Sequence, residues 1–213
     1  MITGIGQGYT QTTPLQLCLM TAQLANGGHK IYPKITVNEN DETYEEVKSL
    51  IEKNYKINKQ MNKGLIESSQ SLFSFTKDKK HETLYNDFKN IELVREAMFA
   101  STNEVRGTSY SSRIENPKYQ FAGKTGTSQV KRITARDRIL DLNTSEIPYK
   151  DRDHALFVAF GPYVKPRYAL SIVIEHGGSG SSTAAPLAKK LFKLIVDRHE
   201  LREKNKNQKS LKV

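Results

Sequence analysis

The sequence predicts an α+β fold, a three-stranded antiparallel sheet with flanking helices. Two β-branched and aromatic runs, 154–160 and 168–175, are separated by a seven-residue link with two prolines, which is typical of a hairpin. A third strand candidate covers 119–130. Helical periodicity precedes it near residue 88 and returns after residue 184. A helix, then an antiparallel run of strands, then another helix is the α+β order.

The first predicted helix begins at Pro14. Thr13 is a suitable N-cap, Pro14 fits the first helical position, and the Asn-Gly-Gly at 26–28 ends the helix. Its apolar positions are Leu15, Cys18, Leu19 and Ala22. A short strand is expected over 31–37, where Pro33 indicates a sheet edge or a bend.

The middle of the chain is polar. Residues 38–87 are rich in Asn, Asp, Glu, Lys and Ser, and we interpret them as an insertion within one domain spanning 1–200. The next helix is indicated by apolar residues from Phe88 to Met98 and ends before Gly107. The last helix is predicted from Ala184 to about Glu200, with a buried stripe formed by Leu187, Leu191, Leu194 and Ile195.

Composition excludes several classes of protein. Of 213 residues, 37% are hydrophobic and 26% charged, which indicates a globular chain. No apolar run approaches the roughly 18 residues of a membrane span, and no signal pattern opens the chain. Cys18 is the only cysteine, so an internal disulfide and a cysteine metal cage are excluded. The five histidines show no metal spacing, and neither a metal nor a cofactor is expected.

The formal charge of +10 is concentrated near the end of the chain. Residues 189–213 hold nine Lys or Arg against three Asp or Glu. We interpret 201–213 as a basic tail that frays from a solvated helix end. Contact with nucleic acid or anionic lipid is the alternative. No aromatic residue after Phe192 interleaves with the tail, which argues against nucleic-acid binding.

Two glycine-rich segments suggest phosphate or anion binding. Gly123-Lys124-Thr125 is not a phosphate loop, because position 118 is Lys where that loop needs Gly, and no helix follows. The Gly/Ser run at 177–183 precedes a helix N-terminus, where anions bind, but a flexible strand-to-helix turn is the favoured interpretation.

The segment Lys124-Thr125-Gly126-Thr127 is the strongest candidate site. Its four consecutive residues lie in a predicted strand and carry an ammonium and two hydroxyls. Gly126 leaves room for a ligand against the backbone. In its context the segment resembles the Lys-Thr-Gly motif of the penicillin-binding protein transpeptidases. The supporting segments are GIGQGY at 4–9 with Thr13 and Pro14, Gly107-Thr108, AGKTGTSQV at 122–130, the strand at 155–162, and EHGG at 175–178 with Ala185 and Pro186.

This ordered set is similar to the C-terminal part of the transpeptidase domain in the elongation-type class B group, penicillin-binding protein 2. In that family a Ser-x-x-Lys serine attacks D-alanyl-D-alanine during peptidoglycan cross-linking, and β-lactams trap it as an acyl-enzyme. The resemblance implies that Lys124, Thr125, Gly126 and Thr127 bind substrate, with the Thr127 N–H as an oxyanion-hole donor. It also implies that Gly6, Gln7 and Gly8 line the groove.

The resemblance further implies a set of ligands and a place of action. The expected ligands are the peptidoglycan stem peptide and β-lactams, with no nucleic acid. The expected location of the parent protein is the periplasmic face of the cytoplasmic membrane.

The nucleophile is expected outside this chain. In the family Ser-x-x-Lys and Ser-x-Asn precede the Gly-Gln-Gly segment, so both are expected on an N-terminal half of the domain. We interpret the matching strings Ser74–Lys77 and Ser101–Asn103 as coincidences, because one lies in the polar insertion and the other ends a helix. Whether the chain is an enzyme therefore stays open. The alternatives are an inactive split-gene remnant and a basic nucleic-acid-binding module.

Overall fold

The computed structural model describes residues 11–33, 83, 84, 86–131 and 142–210, the last six as backbone only. The predicted insertion therefore falls almost wholly outside the described residues, as do residues 34–37 of the strand predicted over 31–37. The described part of this predicted strand, residues 31–33, is not a strand. The neighbouring His29 forms an isolated bridge with Thr83.

Two helices begin at side-chain caps. Helix α1 spans Pro14–Ala25 and starts with a capping box, in which the Gln16 N–H donates to the Thr13 hydroxyl at 3.2 Å and the Thr13 N–H donates to Gln16 Oε1 at 2.8 Å. Helix α2 spans Phe88–Asn103, and the Asp87 carboxylate accepts from the Lys89 N–H at 2.9 Å. Both starts confirm the sequence prediction.

Three antiparallel strands form one sheet in the order β1-β2-β3. Their bounds are Ala122–Ser128, His154–Gly161 and Tyr168–Ile174. The register pairs Thr125 with Phe157, and Phe157 with Ile172. Helix α3, Ala185–Ser210, follows a π-helical turn at Gly180–Ala184 and continues ten residues past the predicted end. The α+β prediction is confirmed.

Helices cover both faces of the sheet. On one face Phe157 packs with Phe121 and with Phe192 of α3, and the rings of Phe121 and Phe192 stack with centroids 5.0 Å apart. On the other face Phe160 and Ala122 pack with Met98 of α2 and Ala25 of α1. Because strand residues alternate between faces, β2 and β3 contribute to both clusters, whereas β1 contributes Ala122 to the second.

The predicted buried stripe of α3 is wrong. The buried residues of the helix are Ala185, Ala188, Phe192 and Val196. Leu187 and Leu191 are each 42% exposed and Leu194 is 59% exposed, while Ile195 is half-buried. The three alanines at 184, 185 and 188 have small side chains, so the helix can approach the sheet closely through that face. The leucines then point away from the sheet.

Helix α2 buries a cation that the sequence did not indicate. Arg95 is 7% exposed, and its guanidinium carbon lies 5.7 Å from the Phe160 ring centroid and 6.0 Å from that of Tyr163. The two aromatic faces partly replace the water it loses. Burial nevertheless lowers the pKa of Arg95, which the charges of Tyr163 and Glu92 partly restore.

Candidate active site

The candidate residues lie on β1, an outer strand of the described sheet. Thr125 and Thr127 share the face that carries Phe157, whereas Lys124 and Gly126 lie on the opposite face, since side chains alternate. Thr127 and Lys124 are exposed and Thr125 is half-buried. The strand thus carries two hydroxyls, two residues apart, on the face of Phe157, and the one on Thr127 is exposed.

The outer edge of β1 is defined by hydrogen bonds from α2. The Asn103 amide donates to the Phe121 carbonyl at 3.0 Å, and the Thr102 hydroxyl donates to the Gly123 carbonyl at 3.4 Å. Successive residues of a strand present their N–H and C=O groups to opposite edges. Thr125 and Thr127 therefore direct their N–H and C=O groups to the edge used by Phe121 and Gly123, away from β2.

Lys124 bends toward that same edge. Its Nζ donates to the Thr125 carbonyl at 2.9 Å and lies 3.3 Å from the Thr125 hydroxyl. The ammonium consequently sits beside one of the two threonines. An anion bound there would meet a positive charge, two hydroxyls and the outward N–H groups of the strand.

The strand is supported from the α3 face by Gly180. A Cβ at this position would lie 2.4 Å from the Leu156 carbonyl oxygen and 2.8 Å from that of Gly126. The π-helical turn therefore rests directly on the paired backbones of β1 and β2 between the two threonines, and only glycine permits that approach. The Gly/Ser run predicted as an anion site or a flexible turn contains this contact.

A histidine pair lies past the end of β1. Ser128 pairs with His154, whose Nδ1 accepts from the His176 N–H at 2.9 Å. His176 has φ 55°, and its Nδ1 donates to the Arg152 carbonyl at 3.0 Å, since a carbonyl can only accept. The Val130 N–H also donates to Asp153 Oδ1 at 3.2 Å. Together these contacts fix the C-terminal end of β1.

The string Ser101–Asn103 has structural contacts. Both amide hydrogens of Asn103 are used, one by the Phe99 carbonyl and one by the Phe121 carbonyl, each at 3.0 Å. The Ser101 hydroxyl lies 3.3 Å from that of Thr108. Gly6, Gln7, Gly8 and the string Ser74–Lys77 lie outside the described residues.

Sequence reasoning missed the contacts that Thr102, Asn103 and Gly180 make with the site strand. No local pattern marks them, because each acts on a residue more than 15 positions away in the chain. In the described part of the chain, no three His, Cys, Asp or Glu residues come together in a metal-ligand cluster. No helix in that part is long and apolar enough to cross a bilayer.

Comparison with known proteins identifies relatives of the chain. The sequence model of the penicillin binding protein transpeptidase domain matches residues 1–193. The peptidoglycan D,D-transpeptidase MrdA of Salmonella typhimurium is 30% identical over 195 residues, which are 91% of this chain and 26% of the relative. MrdA of Acinetobacter baumannii is 33% identical over 191 residues, 88% of this chain and 23% of the relative.

Solved structures agree. In the Helicobacter pylori complex between the penicillin-binding protein PBP2 and MreC, the match has a TM-score of 0.62 at 26% identity and covers 92% of this chain and 27% of that one. Pseudomonas aeruginosa PBP2 in complex with WCK 5153 matches with a TM-score of 0.57 at 29% identity, covering 91% and 32%. The chain spans about a quarter of the length of the curated relatives it matches.

Proposed function

The chain belongs to the penicillin-binding protein transpeptidase domain family, and from this premise we propose that it forms the carboxylate-binding wall of a peptidoglycan D,D-transpeptidase site. Its ligands are the D-alanyl-D-alanine end of a stem peptide, and β-lactams. One observation carries the proposal. The Lys124 ammonium lies beside the Thr125 hydroxyl at the strand edge to which the Thr127 N–H also points, and the Thr127 side chain is on the same sheet face as that of Thr125.

The chemistry of that edge fits an acyl-transfer site. The ammonium and the two hydroxyls would hold the substrate carboxylate by charge-assisted hydrogen bonds. The outward N–H of Thr127 would then face the carbonyl under attack and stabilise its developing negative charge. Gly126 would leave the substrate backbone free to lie alongside the strand.

The attacking serine is proposed to come from polypeptide outside this sequence, the N-terminal half of the transpeptidase domain. The amide of Asn103 argues against Ser101–Asn103 as the Ser-x-Asn relay of that site, because a relay residue needs a free side chain and both of its hydrogens are already bonded to backbone carbonyls. The two parts together would act at the periplasmic face of the cytoplasmic membrane, where peptidoglycan is cross-linked.

Labelling with a fluorescent penicillin tests this function. The chain alone should give no labelled band after denaturation, whereas addition of the N-terminal half of a related transpeptidase domain should produce one. Thr127→Val removes a hydroxyl at nearly constant volume and should slow labelling. Thr127→Ser keeps the hydroxyl and serves as the matched control.

Three results would count against the proposal. A band formed by the chain alone and abolished by Ser74→Ala would place the nucleophile in Ser74–Lys77. Equal labelling rates for the reconstituted domain with and without Thr127→Val would show that Thr127 does not contribute to the site. No labelling in any reconstituted form would favour an inactive remnant.

A further inference from the structure

The end of α2 contacts the site strand just before the candidate residues. The Thr102 hydroxyl is completely buried and lies 3.4 Å from both the Met98 and the Gly123 carbonyls. The Asn103 amide bridges the Phe99 carbonyl of its own helix and the Phe121 carbonyl of the chain entering β1. We call Thr102 and Asn103 the α2 clasp.

The clasp binds alternate carbonyls on one edge. Phe121 and Gly123 present their carbonyls to α2, and by alternation the next residues on that edge are Thr125 and Thr127. With a rise of about 3.3 Å per residue, the Thr125 backbone lies about 7 Å beyond the last clasped carbonyl. The clasp therefore holds the edge of β1 immediately upstream of the residues that would contact a ligand.

The end of α2 is itself anchored. The Ser101 carbonyl accepts from both the Ser109 N–H at 3.0 Å and the Ser109 hydroxyl at 3.1 Å, and Ser109 is completely buried. Gly107 allows this return of the chain, since a Cβ there would lie 2.3 Å from the Ser101 carbonyl oxygen. Because the end of α2 is anchored, its hydrogen-bond donors can fix the position of β1. Donors on a mobile helix end would move together with the strand instead.

We propose that Thr102 and Asn103 are positioning residues that set the place of the Lys124–Thr127 edge. The ligand-binding part of this inference rests on the proposed function. Neither residue touches the ligand. Each acts through a β1 carbonyl, so its loss should disturb the strand first and the affinity for ligand as a consequence.

The test uses the whole chain and D-alanyl-D-alanine as the probe. Asn103→Leu keeps the side-chain volume and removes both donors. Amide hydrogen exchange at Lys124 and Gly126, which pair with β2, should speed at least tenfold, with the exchange of α3 unchanged within twofold. The affinity for D-alanyl-D-alanine, followed by NMR shifts of the Thr125 and Thr127 amides, should fall at least fivefold.

Matched variants separate positioning from a general loss of stability. Asn90→Leu makes the same change at an exposed position on the first turn of α2 and should leave both readouts within twofold of the unmodified chain. Thr102→Val should repeat the Asn103→Leu effect, and Thr102→Ser, which keeps the hydroxyl, should restore the strand. If Asn103→Leu does not fold, the Thr102 pair decides by the same criteria.

The outcomes distinguish the clasp from the proposed function. The positioning role of the α2 clasp is overturned if the amide hydrogen exchange of β1 is unchanged in Asn103→Leu. It is also overturned if Thr102→Val and Thr102→Ser give equal exchange rates in β1. If D-alanyl-D-alanine at millimolar concentration shifts no amide of the unmodified chain, alone or with the N-terminal half of a related transpeptidase domain added, the proposed function fails. Hydrogen exchange alone then decides whether α2 holds the strand.

Discussion

At the scale of single residues, two glycines near the candidate site differ in how much room they leave for a side chain. Gly126 faces open space except for the Leu156 Cβ, which a new Cβ would meet at 3.3 Å. Gly180 meets two backbone carbonyl oxygens at 2.4 and 2.8 Å, and backbone cannot rotate away as a side chain can. The first glycine therefore leaves room beside the strand, and the second is required by packing.

The substitution Gly180→Ala should destabilise the fold. The methyl group would push the π-helical turn off β1 and β2, at a cost of roughly 1–3 kcal/mol in the free energy of unfolding. Denaturant titration measures this cost. Gly126→Ala is the control and should cost clearly less. Equal costs for the two variants would mean that the contact at Gly180 relaxes easily.

Lys124 and Thr127 should affect acylation without affecting the fold, because both are exposed. In a domain reconstituted from this chain and the N-terminal half of a related transpeptidase domain, Lys124→Ala or Thr127→Ala should slow β-lactam acylation sharply. A lost hydrogen bond to a charged carboxylate costs roughly 1.5–3 kcal/mol, about a 10- to 150-fold decrease in rate. Stopped-flow acylation provides the measurement. Rates within twofold of wild type for both variants would exclude this segment from the site.

At the scale of elements, α3 is pinned to the sheet by charged pairs along its second half. Lys118 Nζ lies 2.9 Å from Glu200 Oε2, and the Tyr119 hydroxyl donates to Asp197 Oδ1 at 2.6 Å. Arg167 Nη2 lies 2.9 Å from Glu203 Oε1. These contacts join α3 to the chain entering β1 and to the residue before β3. Losing them should therefore loosen the C-terminal half of α3 from both strands.

The anchoring of α3 at Glu203 should weaken in acid. Hydrogen bonds from Arg167 and His199 hold the pKa of the Glu203 carboxyl below its ordinary value of 4.5. A carboxyl with a lowered folded-state pKa contributes stability at higher pH and loses it as pH falls through the folded value. Hydrogen exchange of residues 199–204 should therefore rise relative to the rest of α3 as the pH falls through the lowered pKa of Glu203.

Glu203→Gln is the control for this prediction, because it removes the titrating group and should remove the local pH dependence. The effect should be modest and should shrink with added salt, since the pair is exposed. An identical pH response in Glu203→Gln would assign the acid sensitivity to other carboxyls.

At the scale of the whole molecule, the edge of one strand and the outer face of one helix remain partly uncovered in the described part of the chain, although the Cys18 thiol of α1 lies 3.5 Å from the Ala169 carbonyl. No described strand pairs with the outer edge of β3, and every residue of that strand is at least partly exposed. Leu187, Leu191, Leu194 and Leu201 of α3 face outward, with Leu201 60% exposed. A strand edge that pairs with no described strand, and exposed leucines, each favour association with other polypeptide.

The chain should therefore self-associate, or gain stability from the N-terminal half of a related transpeptidase domain added in trans. Each Å² of apolar surface covered contributes about 25 cal/mol. Analytical ultracentrifugation and thermal melts provide the measurements. Leu191→Lys and Val173→Lys place charges on the helix face and on the strand, and should reduce self-association. A monodisperse monomer with a cooperative, reversible melt would show that the chain closes its own sheet.

The sequence by itself determined most of the helices and strands, and it supplied the candidate motif. Thr13 and Pro14 specify the start of α1 through local hydrogen bonding, and the runs at 154–160 and 168–175 specify a hairpin through β propensity and turn chemistry. The Lys124–Thr127 motif was found because its residues are adjacent in the chain. All these signals act within a few residues, where local physical chemistry decides the conformation.

Only the tertiary structure decided which surfaces meet. Helix α3 carries two apolar stripes, and the sheet selects the one with the alanines and Phe192 because small side chains allow close packing. Arg95 is buried because Phe160 and Tyr163, more than 60 residues away, cover it. The outward direction of the Thr127 N–H follows from the pairing of β1 with β2, which leaves the carbonyls of Phe121 and Gly123 to accept from α2. Contacts between distant parts of the chain leave no local pattern, so only their geometry reveals them.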